Sequence, residues 1–292
     1  MSVDPLFAAR HRADVAARRA ALVAGYRPSW ARMIEQWRAP HASPAVWLMY
    51  AGNYLFDTGG VRWAVDPVLL DNKVPEAPAL DVRQDLAPLR FVLLTHAHSD
   101  HVDLRLWGQL ASLLCRWVVP EHMLRQFVLA TSLPRDRYIV ALPGREIELD
   151  GVRIQPFASP HYEQTADGEV RGVPETGYLV EAGAGRYLLP GDIRTYDLGL
   201  LPSFGPVTAV FAHVFLGRSA ASSVHPPLLE AFASFYLGLQ PEKVLLTHLY
   251  EVSREAADCW GEGHAQMVRE MLGQLGGVPD LRVPAWYVET VL

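Results

Sequence analysis

From position 45 onward, short apolar runs alternate with turns marked by glycine and proline. Runs at 46–50, 53–56 and 61–65, punctuated by Gly52 and by Gly59 and Gly60, predict three strands joined by tight turns. A polar, proline-bearing stretch over 71–90 reads mostly as loop. It is followed by a continuous apolar strand at 91–95, a helix at 104–114, a buried strand at 117–119 and a helix at 121–131. The second half repeats the texture. Segments 146–149 and 152–157 flank Asp150 and Gly151, a hairpin signal, and 178–181 and 186–189 flank a second turn at 182–185. Residues 163–173 read as a mobile polar loop. A strand at 207–211, a helix at 228–237, a buried strand at 244–247, a helix over 254–275 and a strand at 286–291 close the chain. Strands and helices alternate in both halves, which predicts α/β layers in a single domain.

Upstream the texture differs. Residues 5–24 are rich in alanine and arginine and predict one helix, and Pro28 is placed to open a second that ends near Arg38. The chain therefore divides into an N-terminal helical extension, 1–44, and an α/β domain, 45–292. The extension is expected to pack on the domain. The sharper alternatives are a contact between copies in a homo-oligomer or a wall of the active site. Trp30, Trp37 and Trp47 are expected in the core or in such a wall.

Composition narrows the class. Glycine and proline, 22 each in 292 residues, stay well below the share that marks disordered chains. No run approaches the roughly 18 apolar residues of a membrane-spanning helix. The net charge of −6 gives no general basic field for nucleic acid, so a small-molecule substrate is expected. The two cysteines, Cys115 and Cys259, stand apart and read as small buried apolar side chains. The arginine-rich start also carries Asp4 and Asp14, which argues against a transit peptide, so the expected compartment is the cytoplasm.

The chemistry concentrates in Thr95-His96-Ala97-His98-Ser99-Asp100-His101, directly after an apolar strand. Three histidines and an aspartate in six residues form a divalent-metal ligand set. A loop at a strand end lets His96 and His98 face one position while Asp100 and His101 face another, a geometry for two ions. Four more candidates also stand just past apolar strands, where an α/β sheet presents its ligands: Asp66, His161, Asp192 and His248.

This run resembles the HxHxDH motif of the metallo-β-lactamase superfamily. The other four residues follow in the family's order, so the resemblance covers roughly 45–292. It implies a four-layer αββα sandwich and a site of two divalent ions, with zinc the first choice and manganese or iron as alternatives. By the same resemblance, His96, His98 and His161 hold one ion, Asp100, His101 and His248 hold the other, Asp192 bridges both, and Asp66 orients a ligand from behind. Two such ions about 3.5–4 Å apart share a hydroxide that attacks a small ester-like substrate. Asp100 or the bridging group would relay a proton.

Asp100-His101-Val102-Asp103 and the block from Met49 to Gly60 resemble the branch containing the ascorbate-phosphate lactonase and the N-acyl-phosphatidylethanolamine phospholipase D. The resemblance thus points to a lactone or a phosphodiester. The alternatives are an iron-dependent redox enzyme of the same fold and a non-catalytic metal-binding protein. Candidate substrate contacts are His213, which ends a strand, Arg194 and Arg218, which together with Lys243 could pair with an anionic group, and Tyr162, Tyr196 and Tyr250, which lie close to ligands in sequence. His225 reads as a loop residue, and His41, His122 and His264 as structural or exposed. Gly183 and Gly185 belong to a hairpin rather than a phosphate loop, and no Gly-x-Ser-x-Gly elbow is present.

Overall fold

The computed structural model describes residues 5–164, 168–277 and 279–292. A long helix, α1 (Pro5–Arg38), leads into β1 (Ala45–Leu48), β2 (Tyr54–Thr58), β3 (Val61–Val65), the short α2 (Leu70–Lys73), β4 (Phe91–Leu93), α3 (Leu104–Leu110), β5 (Arg116–Pro120), α4 (Leu124–Thr131) and β6 (Tyr138–Ala141). The second half runs β7 (Ile147–Leu149), β8 (Val152–Ala158), β9 (Tyr162–Gln164), β10 (Val170–Gly172), β11 (Thr176–Ala182), β12 (Gly185–Leu189), β13 (Val207–His213), α5 (Leu229–Gly238), β14 (Pro241–Thr247), α6 (Glu262–Gln274), β15 (Asp280–Arg282) and β16 (Glu289–Val291).

Two seven-stranded sheets result, in the orders β16-β1-β2-β3-β4-β5-β6 and β15-β14-β13-β12-β11-β8-β7. Their strands are apolar on both faces because both faces are covered. Val46, Tyr54, Phe56, Trp63, Phe91 and Leu93 of the first sheet meet Ile154, Tyr178, Val180, Phe211 and Leu245 of the second. The intervening positions, such as Trp47, Leu55, Val92 and Trp117, or Leu188, Val210 and Leu246, join a second core that includes Trp107 and Phe127 on one side and Phe232, Tyr236 and Val268 on the other. Side-chain alternation along each strand thus feeds two cores at once, giving the four layers α-β-β-α. No described helix is long and apolar enough to cross a membrane.

Three elements differ from the sequence expectation. The N-terminal extension is one helix, with Pro28 inside it. A proline in a helix interior costs about 3 kcal/mol, partly through the carbonyl it leaves unpaired. Here both Pro28 and Ala24, four residues earlier, are solvent-exposed, so water can serve that carbonyl. The buried stripe Tyr26, Trp30, Met33, Ile34 and Trp37 runs straight through, and the Trp37 indole donates to Phe56 O at 3.0 Å. Second, the segment expected as a loop at 163–173 carries the antiparallel pair β9–β10, while 165–167 lie outside the described residues. Third, the last long helix begins at Glu262 rather than near 254, because the chain between β14 and α6 turns back across the site instead. The short strands β6 and β15 were not legible, and β15 carries charge at both ends, Asp280 and Arg282.

His264 shows how the start of α6 is set. Its Nδ1 accepts from the Gly261 amide at 3.0 Å and its Nε2 donates to Ala221 O at 3.0 Å, so both ring nitrogens are satisfied only in the neutral ring. Burial, with His11 adjacent, lowers its pKa to about 4. The folded pKa lies below the unfolded one, so the stability it contributes is present above pH 6.5 and is lost as pH falls toward 4. The destabilisation caused by His264→Ala, read from urea unfolding, is therefore expected to shrink by about 2 kcal/mol between pH 7 and pH 4.5. An equal destabilisation at both pH values would contradict a buried neutral ring.

Candidate metal centre

The site forms where loops following β3, β4, β8, β12, β13 and β14 converge at one edge of the facing sheets. Asp66 follows β3 with φ 41°, a left-handed conformation that turns its carboxylate inward. One oxygen accepts the Thr95 amide at 2.8 Å. The other takes the Thr95 hydroxyl at 2.5 Å and His101 Nδ1 at 2.7 Å. His101 is thereby fixed with Nε2 facing the centre. Asn53 ties three loops together: its amide donates to Asp66 O at 2.7 Å and Asp100 O at 2.9 Å, and its oxygen accepts from the Ala51 amide at 3.0 Å.

Two donor groups result. His96, His98, His161 and Asp192 form the first, with their donor atoms within 4.8 Å of one another. His101, His213, His248 and Asp192 form the second by the same measure. Asp192 belongs to both. Its Oδ1 lies 3.1 Å from His248 Nε2, 3.5 Å from His101 Nε2 and 2.5 Å from His213 Nδ1, and its Oδ2 lies 3.8 Å from His96 Nε2. His213 stands where the resemblance placed Asp100. The Asp100 carboxylate groups instead with His248 and Glu251, and its Oδ2 accepts from Arg254 Nη2 at 2.8 Å.

These residues fit metal ions. His96 Nε2 and both ring nitrogens of His161 are buried without a hydrogen-bond partner among the described residues, a costly state that a cation would relieve. His101 Nε2 and His248 Nε2 face each other at 3.3 Å, so either a proton or a cation must lie between their lone pairs. Electrostatics separates the groups. Burial holds His96, His98 and His161 below the ordinary histidine pKa, His161 at about 3, so their rings are neutral and ready to donate lone pairs. Burial opposes charge on His248 as well, but Asp192 and Glu251 beside it raise its pKa to about 10. His101 is likewise raised by Asp192 and Asp66 against the effect of burial.

Two glutamates that the sequence reading did not single out complete the arrangement. Buried Glu175, on the chain entering β11, sits 2.8 Å from His96 Nδ1 and 3.5 Å from His161 Nδ1. It also accepts the Asp192 amide at 2.9 Å, so it orients the His96 ring and the Asp192 backbone. Glu251 lies 3.0 Å from His248 Nδ1, and its other oxygen holds Arg254 Nε at 2.9 Å. A carboxylate three residues after His248 was the one signal for Glu251. Glu175 had none.

The centre opens to a cleft of about 730 Å³ walled in part by His98, Asp100, Arg194, Arg218, Arg254 and Lys73. The three candidate tyrosines do not line it. Tyr162 is exposed on β9, Tyr196 donates to Phe215 O at 2.6 Å, and Tyr250 accepts from the Glu262 amide at 2.9 Å beneath the Arg18 guanidinium.

The family model described as the beta-lactamase superfamily domain matches residues 53–249, from the Asn53 clamp to the residue after His248. The chain belongs to this superfamily. A metal-dependent hydrolase of Sulfurisphaera tokodaii is 26% identical over 171 residues, covering 56% of this chain and 72% of that protein. Among solved structures, Igni18, a metallo hydrolase of Ignicoccus hospitalis, aligns with a TM-score of 0.60 at 17% identity, over 86% of this chain and all of that one. CmlA, a diiron beta-hydroxylase of Streptomyces venezuelae, aligns at 0.57 and 16% identity, over 87% of this chain but only 55% of its own length. Both structural likenesses are likenesses of fold.

Proposed function

We propose that the chain is a hydrolase dependent on two divalent metal ions, zinc by first choice, and that it cleaves a small ester-like substrate, a lactone or a phosphodiester. The observation that carries this reading is the Asp192 carboxylate shared by two donor groups, beside buried histidine nitrogens that have no hydrogen-bond partner among the described residues. Divalent cations bound there would supply an activated water and polarise the substrate oxygen that gains charge. His96, His98 and His161 would hold one ion. His101 and His248 would hold the other with His213 or Asp100, and Asp192 would touch both. Asp66, Glu175 and Glu251 fix the rings from behind. Asp100 faces the cleft, and although burial opposes its charge, His101 and Arg254 keep its pKa well below the usual carboxylate value. It is therefore an anion at neutral pH, a charged wall of the cleft beside the donor groups. The name of the Sulfurisphaera relative agrees with this reading, and so does the branch resemblance around Asp100-His101-Val102-Asp103. Two unpaired buried thiols suit a cytoplasmic setting.

The test is elemental analysis of the purified protein, followed by side-by-side assays of zinc- and manganese-loaded protein on bis(p-nitrophenyl) phosphate and a γ-lactone. Two equivalents of metal per chain, and turnover that a chelator removes and added metal restores, is the expected result. Iron with substrate-dependent oxygen uptake would replace hydrolysis by redox chemistry. Metal binding without turnover of either compound would leave a binding protein in its place.

A further inference from the structure

The wall of the cleft is rich in cations, and most of them are already engaged. Arg254 is held by Asp100 and Glu251. Arg218 forms a tight pair with Glu163, and Arg171 faces Glu169 at 3.2 Å. Two remain. Lys73, at the end of α2, is half-buried and lines the cleft, yet its ammonium has no hydrogen-bond or ion-pair partner among the described residues. Arg194, two residues after Asp192, leaves only 11% of its side chain exposed. Among the described residues its one ion-pair partner is Glu163 at 3.8 Å, already taken by Arg218, and its guanidinium rests 5.1 Å from the Phe215 ring centre. It reaches both the cleft and the smaller recess beside Asp192, His213 and His248.

A half-buried ammonium costs desolvation energy without return unless something pairs with it, and burial draws the Lys73 pKa down from its ordinary value. Nearby Asp100 and Glu251 offset only part of this, since both turn toward His248 and Arg254 and neither makes an ion pair with Lys73. The cleft wall otherwise offers little apolar surface: its lining residues are almost all charged or polar. A neutral apolar substrate would leave those groups desolvated and unpaired. A substrate bearing its own negative charge would satisfy them.

We propose that the substrate carries, besides its scissile ester-like bond, an anionic group, carboxylate or phosphate, and that Lys73 and Arg194 are the residues that seat it. This specifies the substrate class of the reading above and rests on it. Arg194 supplies a planar fork with parallel donors, and Lys73 a point charge on a flexible stem, and both line the same cleft. Neither belongs to a donor group, so they fix the substrate's position rather than its chemistry. The inference also explains why Phe215 follows so closely on His213: its ring supports the Arg194 guanidinium.

Two measurements test it together. The first compares kcat/KM of the metal-loaded protein for the p-nitrophenyl monoester of glutaric acid and for p-nitrophenyl valerate, a pair differing mainly in a distal carboxylate. The wild type is expected to prefer the anionic ester by at least about tenfold, and Lys73→Gln or Arg194→Gln to reduce that ratio by about tenfold, with Lys73→Arg retaining most of it. A merely structural role would lower both rates and leave the ratio where it was. The second measures calorimetric binding of glutarate and of inorganic phosphate to the metal-free protein. Affinity for at least one that falls about tenfold in Lys73→Gln is expected, and the better ligand identifies the anion. If neither ester is hydrolysed, the phosphodiester and lactone assays decide the hydrolase reading and the calorimetry decides the anion seat. No preference in the wild type, a ratio that Lys73→Gln does not move, or equal anion binding by wild type and variant would each overturn the proposal.

Discussion

Asp192→Ala is expected to reduce hydrolysis by more than the roughly 10–100-fold typical for loss of a residue that only supports a metal ligand. The argument is positional. Asp192 is the carboxylate that belongs to both four-residue donor groups among the described residues, and four histidines lie within 3.8 Å of its oxygens. Burial opposes its charge, but His248 and His101 hold its pKa well below the usual carboxylate value, so it is an anion at neutral pH. Removing it takes a donor from both groups at once and withdraws the charge that raises His248 to about 10. Metal content, measured by elemental analysis after equilibration with one micromolar-range zinc buffer, should fall below that of the wild type. His98→Ala provides the contrast. His98 is half-exposed and belongs only to the first group, and the loop hydrogen bond it accepts from the His101 amide at 2.9 Å is a backbone one that alanine keeps. Its loss should abolish turnover while leaving the far-ultraviolet circular dichroism unchanged. Full metal content and undiminished turnover in Asp192→Ala would remove the shared carboxylate from the mechanism.

What the sequence disclosed of this site follows from how its residues are spaced. His96, His98, Asp100 and His101 are contiguous, so their chemistry can be read without knowing the fold. Asp66, His161, Asp192 and His248 each follow an apolar run, and an α/β sheet delivers strand ends to one edge, so their convergence was also legible. Glu175 is different. It enters β11, far along the chain from His96, and becomes its neighbour because the two sheets meet there, the Thr176 amide donating to Thr95 O at 3.1 Å, a contact that no local pattern encodes. Asn53 and Arg254 act through backbone atoms and ion pairs across loops, and Lys73 sits on a four-residue helix inside a stretch read as loop. His213 was visible as a strand-end histidine, but its partner is not set by sequence distance, and the parallel pairing of β12, β13 and β14 decides it. The same limit explains the helix ends. Pro28 reads as a helix start, and only the solvent exposure of Ala24 and Pro28 shows why it can lie inside one.

Gly52→Ala should separate the two donor groups experimentally. Gly52 lies in the turn between β1 and β2, beneath the second group. A Cβ built there would stand 2.6 Å from His213 Cε1, 2.9 Å from His213 Nε2 and 2.8 Å from His248 Nε2, inside the closest approach real side chains show. Neither ring can yield easily. His248 is held by Asp192 and Glu251 and by its own amide on Ala51 O at 3.1 Å, and His213 is held between Asp192 and the Tyr54 hydroxyl. A methyl group forced into such packing costs about 1–3 kcal/mol. The cost falls on two of the three donors that belong to the second group and not the first, while His96, His98 and His161 are not among the atoms nearest the added Cβ. Zinc titration should therefore change from two equivalents toward one, the remaining equivalent binding as tightly as before, and hydrolysis should fall with the lost ion. Gly108→Ala, in α3 with open space around its Cβ, is the control: there the greater helix propensity of alanine should raise stability by up to about 1 kcal/mol and leave both equivalents in place. Two full equivalents in Gly52→Ala would mean that His213 and His248 do not share an ion, and the second group would have to be rebuilt around Asp100 and His101.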